Sequence, residues 1–400
     1  MLQFPVYLDH SATTPCDPKV VETMLPYFTQ DFGNASSRSH AFGWKAEAAV
    51  EEARKSVAAL IGAQAQEIIF TSGSTEACNL ALRGVFEMYA SKGNHFITTA
   101  TEHKAVLDTC KILQKRGAEI TFLNVGADGL IDLKQLEASL TPQTVLISIM
   151  YANNETGVIQ PAKEIGAIAK RHNVLFFTDA TQAVGKVPVD VQDEGIDLLA
   201  LSSHKIYGPK GVGALYVRRR DPRVRLSPQI TGGGQERDLR SGTLNVPGIV
   251  GLGKACGICR DEIMEEFQRL KKLRNQLESE LLTIEESYLN GHVENRLPNV
   301  CNISFKTLTS SQLLSVLNKT LALSSGSACT SGSLDPSYVL KAMGIEDSLA
   351  RGALRFSAGR FTTQEEIAFT IKEVKRVVSQ LRSESFEWQL FQKEKKLLNH

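Results

Sequence analysis

The sequence predicts an α/β protein with a large domain built on a mostly parallel, seven-stranded sheet and a smaller α+β domain at the C-terminal end. Two observations lead to this prediction. From about residue 45, short apolar runs alternate with amphipathic segments, which is typical of a parallel sheet covered by helices. The chain also has 400 residues, of which 42% are hydrophobic. This length exceeds what one core usually serves, so we expect two domains.

Seven short apolar runs are predicted to form the strands of the large domain. They cover residues 68–70, 96–99, 120–122, 145–148, 174–177, 198–201 and 213–217. The amphipathic segments between them are long enough for crossover helices. These segments are 46–61, 102–116, 132–139 and 161–172. Residues 218–248 are rich in Arg, Gly and Pro, so we expect a long irregular segment there.

The remaining chain predicts a second structural unit. It contains a charged helical stretch at 252–286, a strand at 300–305 and helices near 310–319, 336–343 and 364–384. We therefore assign residues 15–254 to the large domain, which we expect to bind a ligand. Residues 1–14 and 255–400 form the small α+β domain, because the turn-like segment after Tyr7 and Leu8 separates the N-terminus from the large sheet.

Charge and composition argue against several classes of function. Lys and Arg total 45 and Asp and Glu total 44, so the chain offers no basic field for direct nucleic-acid or membrane binding. The N-terminus lacks the basic start and apolar stretch of a signal peptide, and seven scattered cysteines fit a reducing compartment. We therefore expect a cytoplasmic protein. Neither a P-loop nor a dinucleotide-binding glycine motif occurs in its expected context.

Polar residues follow the predicted strands at the edge where parallel sheets bind ligands. Asp179 follows the run at 174–177, with Gln182 shortly after it in a predicted helix, and Ser202-Ser203-His204-Lys205 follows the run at 198–201. A lysine that can form a Schiff base, paired with a carboxylate for a ring nitrogen, points to pyridoxal phosphate. The competing Lys210 lies in a Gly/Pro turn, where we expect an exposed and protonated amine.

Three other segments at this edge are ambiguous when taken singly. The turn Thr71-Ser72-Gly73-Ser74-Thr75-Glu76 suits a phosphate but could equally cap an ordinary helix. His103 could stack on a ring or carry a proton, or could be a solvated capping residue. Asn153 and Asn154 could orient a ligand hydroxyl or build a turn.

The cysteines differ in their surroundings. Cys329 lies in a Ser/Gly-rich segment, 324–333, where an exposed thiol could be a nucleophile or a bystander. Cys256 and Cys259 have Cys-x-x-Cys spacing, but the stretch is predicted helix interior without a second pair, so we interpret them as half-buried helix residues. The other cysteines are interpreted as small hydrophobic residues: Cys16, Cys78, Cys110 and Cys301.

Seven motifs occur in order over nearly the whole chain. They are Leu8-Asp9-His10-Ser11-Ala12-Thr13-Thr14-Pro15, Thr71-Ser72-Gly73-Ser74-Thr75-Glu76, Asn153-Asn154-Glu155-Thr156-Gly157, Thr178-Asp179-Ala180-Thr181-Gln182, Ser203-His204-Lys205, Arg240-Ser241-Gly242-Thr243 and Ser324-Ser325-Gly326-Ser327-Ala328-Cys329. Together they resemble the cysteine desulfurases, most closely the housekeeping bacterial type that feeds iron–sulfur cluster assembly. The resemblance implies a pyridoxal-phosphate-dependent enzyme of fold type I.

The resemblance also implies roles for individual residues. Lys205 would hold pyridoxal phosphate covalently, Asp179 would pair with the ring nitrogen, and His103 would stack on the ring and take part in catalysis. Asn154 and Gln182 would contact the ring oxygen, and Asn154 would also contact the substrate.

The same resemblance assigns the phosphate and the substrate carboxylate. The phosphate would be held by Ser74, Thr75, Ser202, His204 and, from the other subunit of a homodimer, Thr243. Arg355 would receive the carboxylate of L-cysteine, a task that suits a planar bidentate donor. Its near neighbour Arg360 is the alternative that we reject.

Cys329 would capture the sulfur as a persulfide and pass it to acceptor proteins for iron–sulfur cluster assembly and tRNA thiolation, and L-alanine would be released. We expect no permanent metal, although Cys329 could be a transient ligand of a 2Fe-2S cluster shared with a scaffold protein. Residues 393–400 do not match the scaffold-docking tail of the housekeeping type. Two rival functions are another pyridoxal-phosphate enzyme of this fold, such as an aminotransferase or selenocysteine lyase, and a sulfur carrier without catalysis.

Overall fold

The structure is a computed structural model that describes residues 2–325 and 336–398. Its strands are β1 (Val6–Tyr7), β2 (Ile68–Thr71), β3 (His95–Thr99), β4 (Glu119–Leu123), β5 (Thr144–Ser148), β6 (Leu175–Asp179), β7 (Leu198–Ser202), β8 (Gly213–Val217), β9 (Ser287–Leu289), β10 (Val300–Phe305), β11 (Leu321–Ala322) and β12 (Ala353–Ser357). Each of the seven predicted apolar runs therefore contains or overlaps a strand.

The helices begin and end close to the predicted segments in most cases. They are α1 (Pro18–Met24), α2 (Pro26–Thr29), α3 (Ala41–Leu60), α4 (Ser74–Met88), α5 (Lys104–Lys115), α6 (Leu133–Ala138), α7 (Ala162–Arg171), α8 (Val246–Leu281), α9 (Ser310–Leu317), α10 (Tyr338–Ala342), α11 (Asp347–Ala350), α12 (Gln364–Glu384) and α13 (Phe386–Leu398). Helices α1, α2, α11 and α13 lie outside the segments predicted to be helical. Within the described residues, no helix is long and apolar enough to cross a membrane.

The large sheet has the strand order β2-β8-β7-β6-β5-β3-β4. Only β8 runs antiparallel to its neighbours, β2 and β7, so the predicted seven-stranded, mostly parallel sheet is confirmed. Both faces of the sheet are covered, which explains the nearly continuous apolar runs. Adjacent residues of β6 enter opposite cores: Phe176 packs with α3, α7 and α8, and Phe177 packs with α4 and α5.

The register of the parallel strands places the predicted ligand residues at one edge. Asp179, the last residue of β6, pairs with Ala200 of β7, and β7 ends two residues later at Ser202. A short 3-10 turn, Ser203–Lys205, follows directly. The helix predicted after Asp179 is absent from this described segment, because residues 181–186 form successive turns instead.

The irregular segment 218–245 is anchored by a buried ion pair. Glu236 is fully buried, and its carboxylate accepts bonds of 2.7 and 2.8 Å from the two Nη atoms of Arg54. The backbone N–H of Phe70 donates to the same carboxylate at 2.8 Å. These bonds hold the segment next to β2. Its backbone therefore has a fixed position although the segment is rich in glycine.

The C-terminal part of the chain forms a second core around a three-stranded antiparallel sheet, β12-β10-β9. The N-terminal strand β1 pairs with β11, and Val6 and Leu8 are buried in this core. Helix α12 begins at a capping box in which Thr363 and Glu366 satisfy each other's backbone N–H groups. The N-terminus therefore packs against the C-terminal part of the chain.

Helix α8 joins the two cores. Helix α8 begins six residues earlier than predicted, because the side chain of Asn245 caps its first turn. The Asn245 Oδ1 accepts a hydrogen bond from the backbone N–H of Gly248 at 3.1 Å. Cys256 and Cys259 are buried in the large core, whereas Leu270 and Leu273 are buried in the second core. The predicted boundary between residues 254 and 255 thus falls inside a continuous helix, and the division into two domains stays a prediction.

Candidate active site

A cavity of about 300 Å³ lies at the carboxyl-end edge of the large sheet. Nine of the predicted site residues line it, namely Ser74, Thr75, His103, Asn154, Asp179, Gln182, His204, Lys205 and Arg355. Ser202 lines an adjoining cavity. Thr243 lines neither cavity of its own chain and is exposed, and Cys329 lies outside the described residues.

The adjoining cavity has groups that suit an anion. Helix α4 begins there at Ser74 without a side-chain cap, so backbone N–H groups and the hydroxyls of Ser74 and Thr75 face the same space. The backbone of β8 passes close to the turn before α4: a Cβ atom on Gly213 would lie 2.7 Å from the Cα of Gly73. Glycine is therefore required at position 213 for β8 to pack beside this turn.

Lys205 extends into the first cavity. Its Nζ donates to the carbonyl oxygen of Ser11 at 2.6 Å and also to that of Ala12. Lys210 is exposed and lies only at the rim of the second cavity. The structure therefore places Lys205, rather than its competitor, inside the space that Asp179 also lines.

The Asp179 carboxylate is held in a fixed position. Its Oδ1 accepts from the backbone N–H of Thr181 at 3.0 Å, and its Oδ2 accepts from the Cys78 thiol at 3.7 Å. Burial, with the Asp179 charge adding to it, raises the pKa of the Cys78 thiol well above its ordinary value. Cys78 therefore stays a protonated donor beneath Asp179.

Two histidines, His103 and His204, line the cavity. His103 caps α5, and its Nδ1 accepts from Ala105 N at 3.1 Å. In the neutral ring the proton then lies on Nε2. Burial, followed by the charges of Lys205 and Lys210, lowers the pKa of His204 to about 4, so this ring is neutral at pH 7.

Arg355 and Arg360 have different surroundings. Arg355 is 2% exposed and lines the cavity, with Nη2 donating to Asp9 Oδ1 at 2.6 Å and Nη1 donating to Asn154 O at 2.9 Å. Arg360 does not line the cavity. It binds Glu266 at 2.9 Å and Asp17 at 3.0 Å, and its guanidinium covers the ring of Tyr207.

These residues fit pyridoxal phosphate. An amine, a carboxylate and a neutral imidazole line one cavity, and a polar turn at the start of α4 adjoins it. Asn154 Oδ1 is buried and has no hydrogen-bond partner among the described residues, so a polar group is needed opposite it. The donor set therefore matches a ligand with a ring, an aldehyde and a phosphate.

Sequence reasoning did not single out Glu102 as a site residue. This side chain is fully buried, and its Oε1 accepts from Met150 N at 2.6 Å. Burial raises the pKa of Glu102 to about 8, and the charge of Asp179 contributes in the same direction. The only sequence feature that points to Glu102 is its position directly before His103, just after the apolar run at 96–99.

We expect a Glu102→Gln variant to be more stable than the wild type at alkaline pH. The folded protein keeps the Glu102 proton up to about pH 8, whereas the ordinary pKa is 4.5. The unfolded chain thus binds fewer protons between these values, so the free energy of unfolding falls as pH rises through this window. The melting-temperature advantage of the variant should therefore grow from pH 5 to pH 8.5.

The control for this experiment is Glu47→Gln, which changes an exposed glutamate. Melting temperatures of both variants and the wild type are measured across the same pH series. A Glu102→Gln difference that stays constant over the whole series would show that Glu102 is ionised throughout.

Comparisons with known proteins identify the family. The sequence profile described as "Aminotransferase class-V" matches residues 6–369. Cysteine desulfurase IscS of Pectobacterium carotovorum subsp. carotovorum (strain PC1) and that of Escherichia coli (strain K12 / DH10B) are each 52% identical to this chain over 392 residues, which cover 98% of it and 96% of the relative.

Solved structures agree with the sequence comparison. A NifS-like protein has a TM-score of 0.87 and 37% identity, with 94% of this chain and 100% of that chain covered. A NifS-like protein from Rickettsia africae ESF-5 has a TM-score of 0.83 and 31% identity, with 93% and 99% covered. The chain therefore belongs to the class-V aminotransferase family and, within it, to the cysteine desulfurases.

Proposed function

We propose that this protein is a pyridoxal-phosphate-dependent cysteine desulfurase that converts L-cysteine to L-alanine and keeps the sulfur on Cys329. One observation carries the proposal: the amine of Lys205, the carboxylate of Asp179 and the guanidinium of Arg355 line a single cavity. When bound, pyridoxal phosphate supplies an aldehyde for an amine and a ring that accepts electrons.

The roles that we assign to the cavity residues rest on the resemblance to the cysteine desulfurases, and the shared cavity supports them. Lys205 would bind the cofactor covalently and move a proton on the substrate carbon, and Asp179 would keep the ring nitrogen protonated. His103 would lie against the ring, while Asn154 and Gln182 would contact the ring oxygen. The phosphate would be held by Ser74, Thr75, Ser202, His204 and, from the partner subunit, Thr243.

The sulfur transfer balances without an added oxidant or reductant. The Cys329 thiol and L-cysteine give a Cys329 persulfide and L-alanine. Both sides of the segment that carries Cys329 are attached near the cavity: Arg355 N donates to Ser324 O at 2.8 Å, and Ser337 Oγ donates to Glu155 Oε2 at 2.5 Å. Cys329 is five residues after Ser324 in the sequence, and five residues of extended chain reach at most about 18 Å, which supports access of Cys329 to the substrate.

The test of this function is product analysis. Purified protein loaded with pyridoxal phosphate is incubated with L-cysteine, and the expected products are alanine and a Cys329 peptide heavier by one sulfur atom. Alanine formation without added sulfur on Cys329 would favour the rival selenocysteine lyase, and no alanine from a cofactor-loaded protein would favour the rival aminotransferase. A colourless protein that stays inactive with added pyridoxal phosphate would favour the carrier.

Arg355→Lys is expected to weaken binding of the substrate carboxylate. Lysine cannot make the bidentate contact, so KM for L-cysteine should rise roughly 10- to 100-fold, with a smaller change in kcat. The matched control is Arg360→Lys, which should lower the melting temperature through its contacts with Asp17 and Glu266. A KM change in the Arg360 variant alone would reverse the assignment.

Homodimer formation would bring Thr243 to the phosphate of the other subunit. It is supported by large exposed apolar side chains near α2, including Leu25 (58% exposed), Phe28 (60%) and Phe32 (64%). Such a group is typical of a surface that another protein covers. A Phe28→Asp variant should shift the dimer toward monomer in light scattering, whereas Phe386→Asp, on α13, should stay dimeric. Unchanged dimers with Phe28→Asp would exclude this surface.

The sulfur on Cys329 would be passed to acceptor proteins. A cytoplasmic enzyme of this type would deliver persulfide sulfur to an iron–sulfur scaffold and to other acceptors, including tRNA-thiolation proteins, and Cys329 could bind a shared 2Fe-2S cluster transiently. No permanent metal is required for the desulfuration itself. Transfer of labelled sulfur from Cys329 to a purified scaffold protein would test this step.

A further inference from the structure

A buried lysine outside the predicted site, Lys186, contacts the cavity wall from behind. Its side chain is 9% exposed, and its Nζ donates to Gln182 Oε1 at 2.7 Å. The nitrogen of the same amide, Gln182 Nε2, donates to the carbonyl oxygen of Ser11 at 2.9 Å. Since Gln182 lines the cavity, Lys186 touches a ligand-facing residue without lining the cavity itself.

The two contacts select one orientation of the Gln182 amide. An amide oxygen only accepts hydrogen bonds and an amide nitrogen only donates them. A 180° flip would turn the amide N–H groups toward the amine of Lys186 and the amide oxygen toward the Ser11 carbonyl. Both bonds would be lost at a buried position, which is costly. The observed orientation leaves one N–H of Nε2 to donate to a ligand in the cavity.

We propose that Lys186 is a positioning residue that fixes the Gln182 amide so that an N–H group, and not the oxygen, faces the ring oxygen of pyridoxal phosphate. This inference rests on the proposed function, because it requires that cofactor in the cavity. It adds a residue that acts through Gln182 and does not touch the cofactor.

The charges around Lys186 are compatible with this role. Burial, followed by the charges of Lys205 and Arg355, lowers the pKa of Lys186 to about 7, while Glu266 and Cys259 act in the opposite direction. Burial, followed by the charge of Lys186, lowers the pKa of the nearby His10 to about 4. An ammonium and a neutral amine can both donate to the Gln182 oxygen, and in either state the Ser11 carbonyl can accept only from the amide nitrogen, so the orientation is held on either side of pH 7.

The test replaces Lys186 with methionine, which has a similar length and no donor. A hydrogen bond to the ring oxygen stabilises its negative charge, so loss of this bond should raise the pH at which the absorption band of the bound cofactor titrates. We expect a shift of roughly 0.5–1 pH unit for Lys186→Met, and a similar shift for Gln182→Ala. The double variant should shift no further than Gln182→Ala alone.

Two results would overturn the inference: an unshifted titration in Lys186→Met, or a double-variant shift equal to the sum of the single shifts. Lys186→Arg keeps a donor and should retain most of the wild-type titration, which a general packing role would not predict. Lys186→Leu serves as the apolar replacement if the methionine variant does not fold.

A preliminary measurement separates this inference from the proposed function. Borohydride reduction followed by peptide mapping shows whether pyridoxal phosphate is attached to Lys205. No adduct in the wild type would overturn the proposed function, whereas a normal adduct with an unchanged titration in Lys186→Met would overturn the positioning role alone.

Discussion

A Lys205→Ala variant is expected to lose the covalently held cofactor and to lower turnover of L-cysteine by about 1,000-fold or more, because under the proposed function one amine would both bind the cofactor and move a proton. The variant should show no cofactor-labelled peptide after borohydride reduction. The amine lies inside the cavity, where its removal leaves the Ser11 and Ala12 carbonyls without this donor.

Lys210→Ala is the matched control for this experiment. Lys210 is exposed and lies at the rim of the second cavity, so its replacement should preserve the borohydride-trapped adduct and change mainly the affinity for the cofactor phosphate. If Lys210→Ala loses the adduct and Lys205→Ala retains it, the two lysines have been assigned in the wrong order.

Replacing Cys329 with serine is expected to lower sulfide release from L-cysteine by at least about 100-fold, because a hydroxyl is a far weaker nucleophile than a thiolate toward sulfur. The variant should still bind pyridoxal phosphate and should still change its absorption spectrum when L-cysteine is added. The defect would then lie in sulfur capture and not in cofactor or substrate binding.

Cys16→Ser is the control for the thiol. Cys16 is partly exposed, and burial together with the Asp17 charge raises the pKa of its thiol, so it is a poor nucleophile. Its replacement should leave sulfide release unchanged. Full activity in Cys329→Ser would refute the assignment of the sulfur-carrying residue and would direct attention to another thiol.

The sequence predicts the sheet edge well because parallel strands leave strong local signals. Asp179 and Lys205 each follow a run of buried apolar residues, and parallel pairing brings strand ends of the same polarity together. No long-range information was needed to predict that they would be neighbours. The apolar runs were readable because both faces of the sheet are covered.

Other features depend on contacts between distant parts of the chain and could not be predicted in this way. Glu102 and Lys186 are charged residue types, so local patterns favour exposure, and their burial follows only from tertiary packing. The short helices α1 and α2 each begin at a proline, and with seven and four residues they leave little helical periodicity. The early start of α8 depends on a cap at Asn245 within a segment that its composition predicted to be irregular.

The continuous helix α8 limits how this enzyme can be dissected. A cut between residues 254 and 255 would divide a single helix of 36 residues. Cys256 and Cys259, which are buried in the large core, would become exposed to solvent on the C-terminal fragment. Neither fragment would retain its own complete interior. Chimaeras that exchange the C-terminal part between related enzymes should therefore take helix α8 whole from one parent, with the fusion points in the loops that flank it.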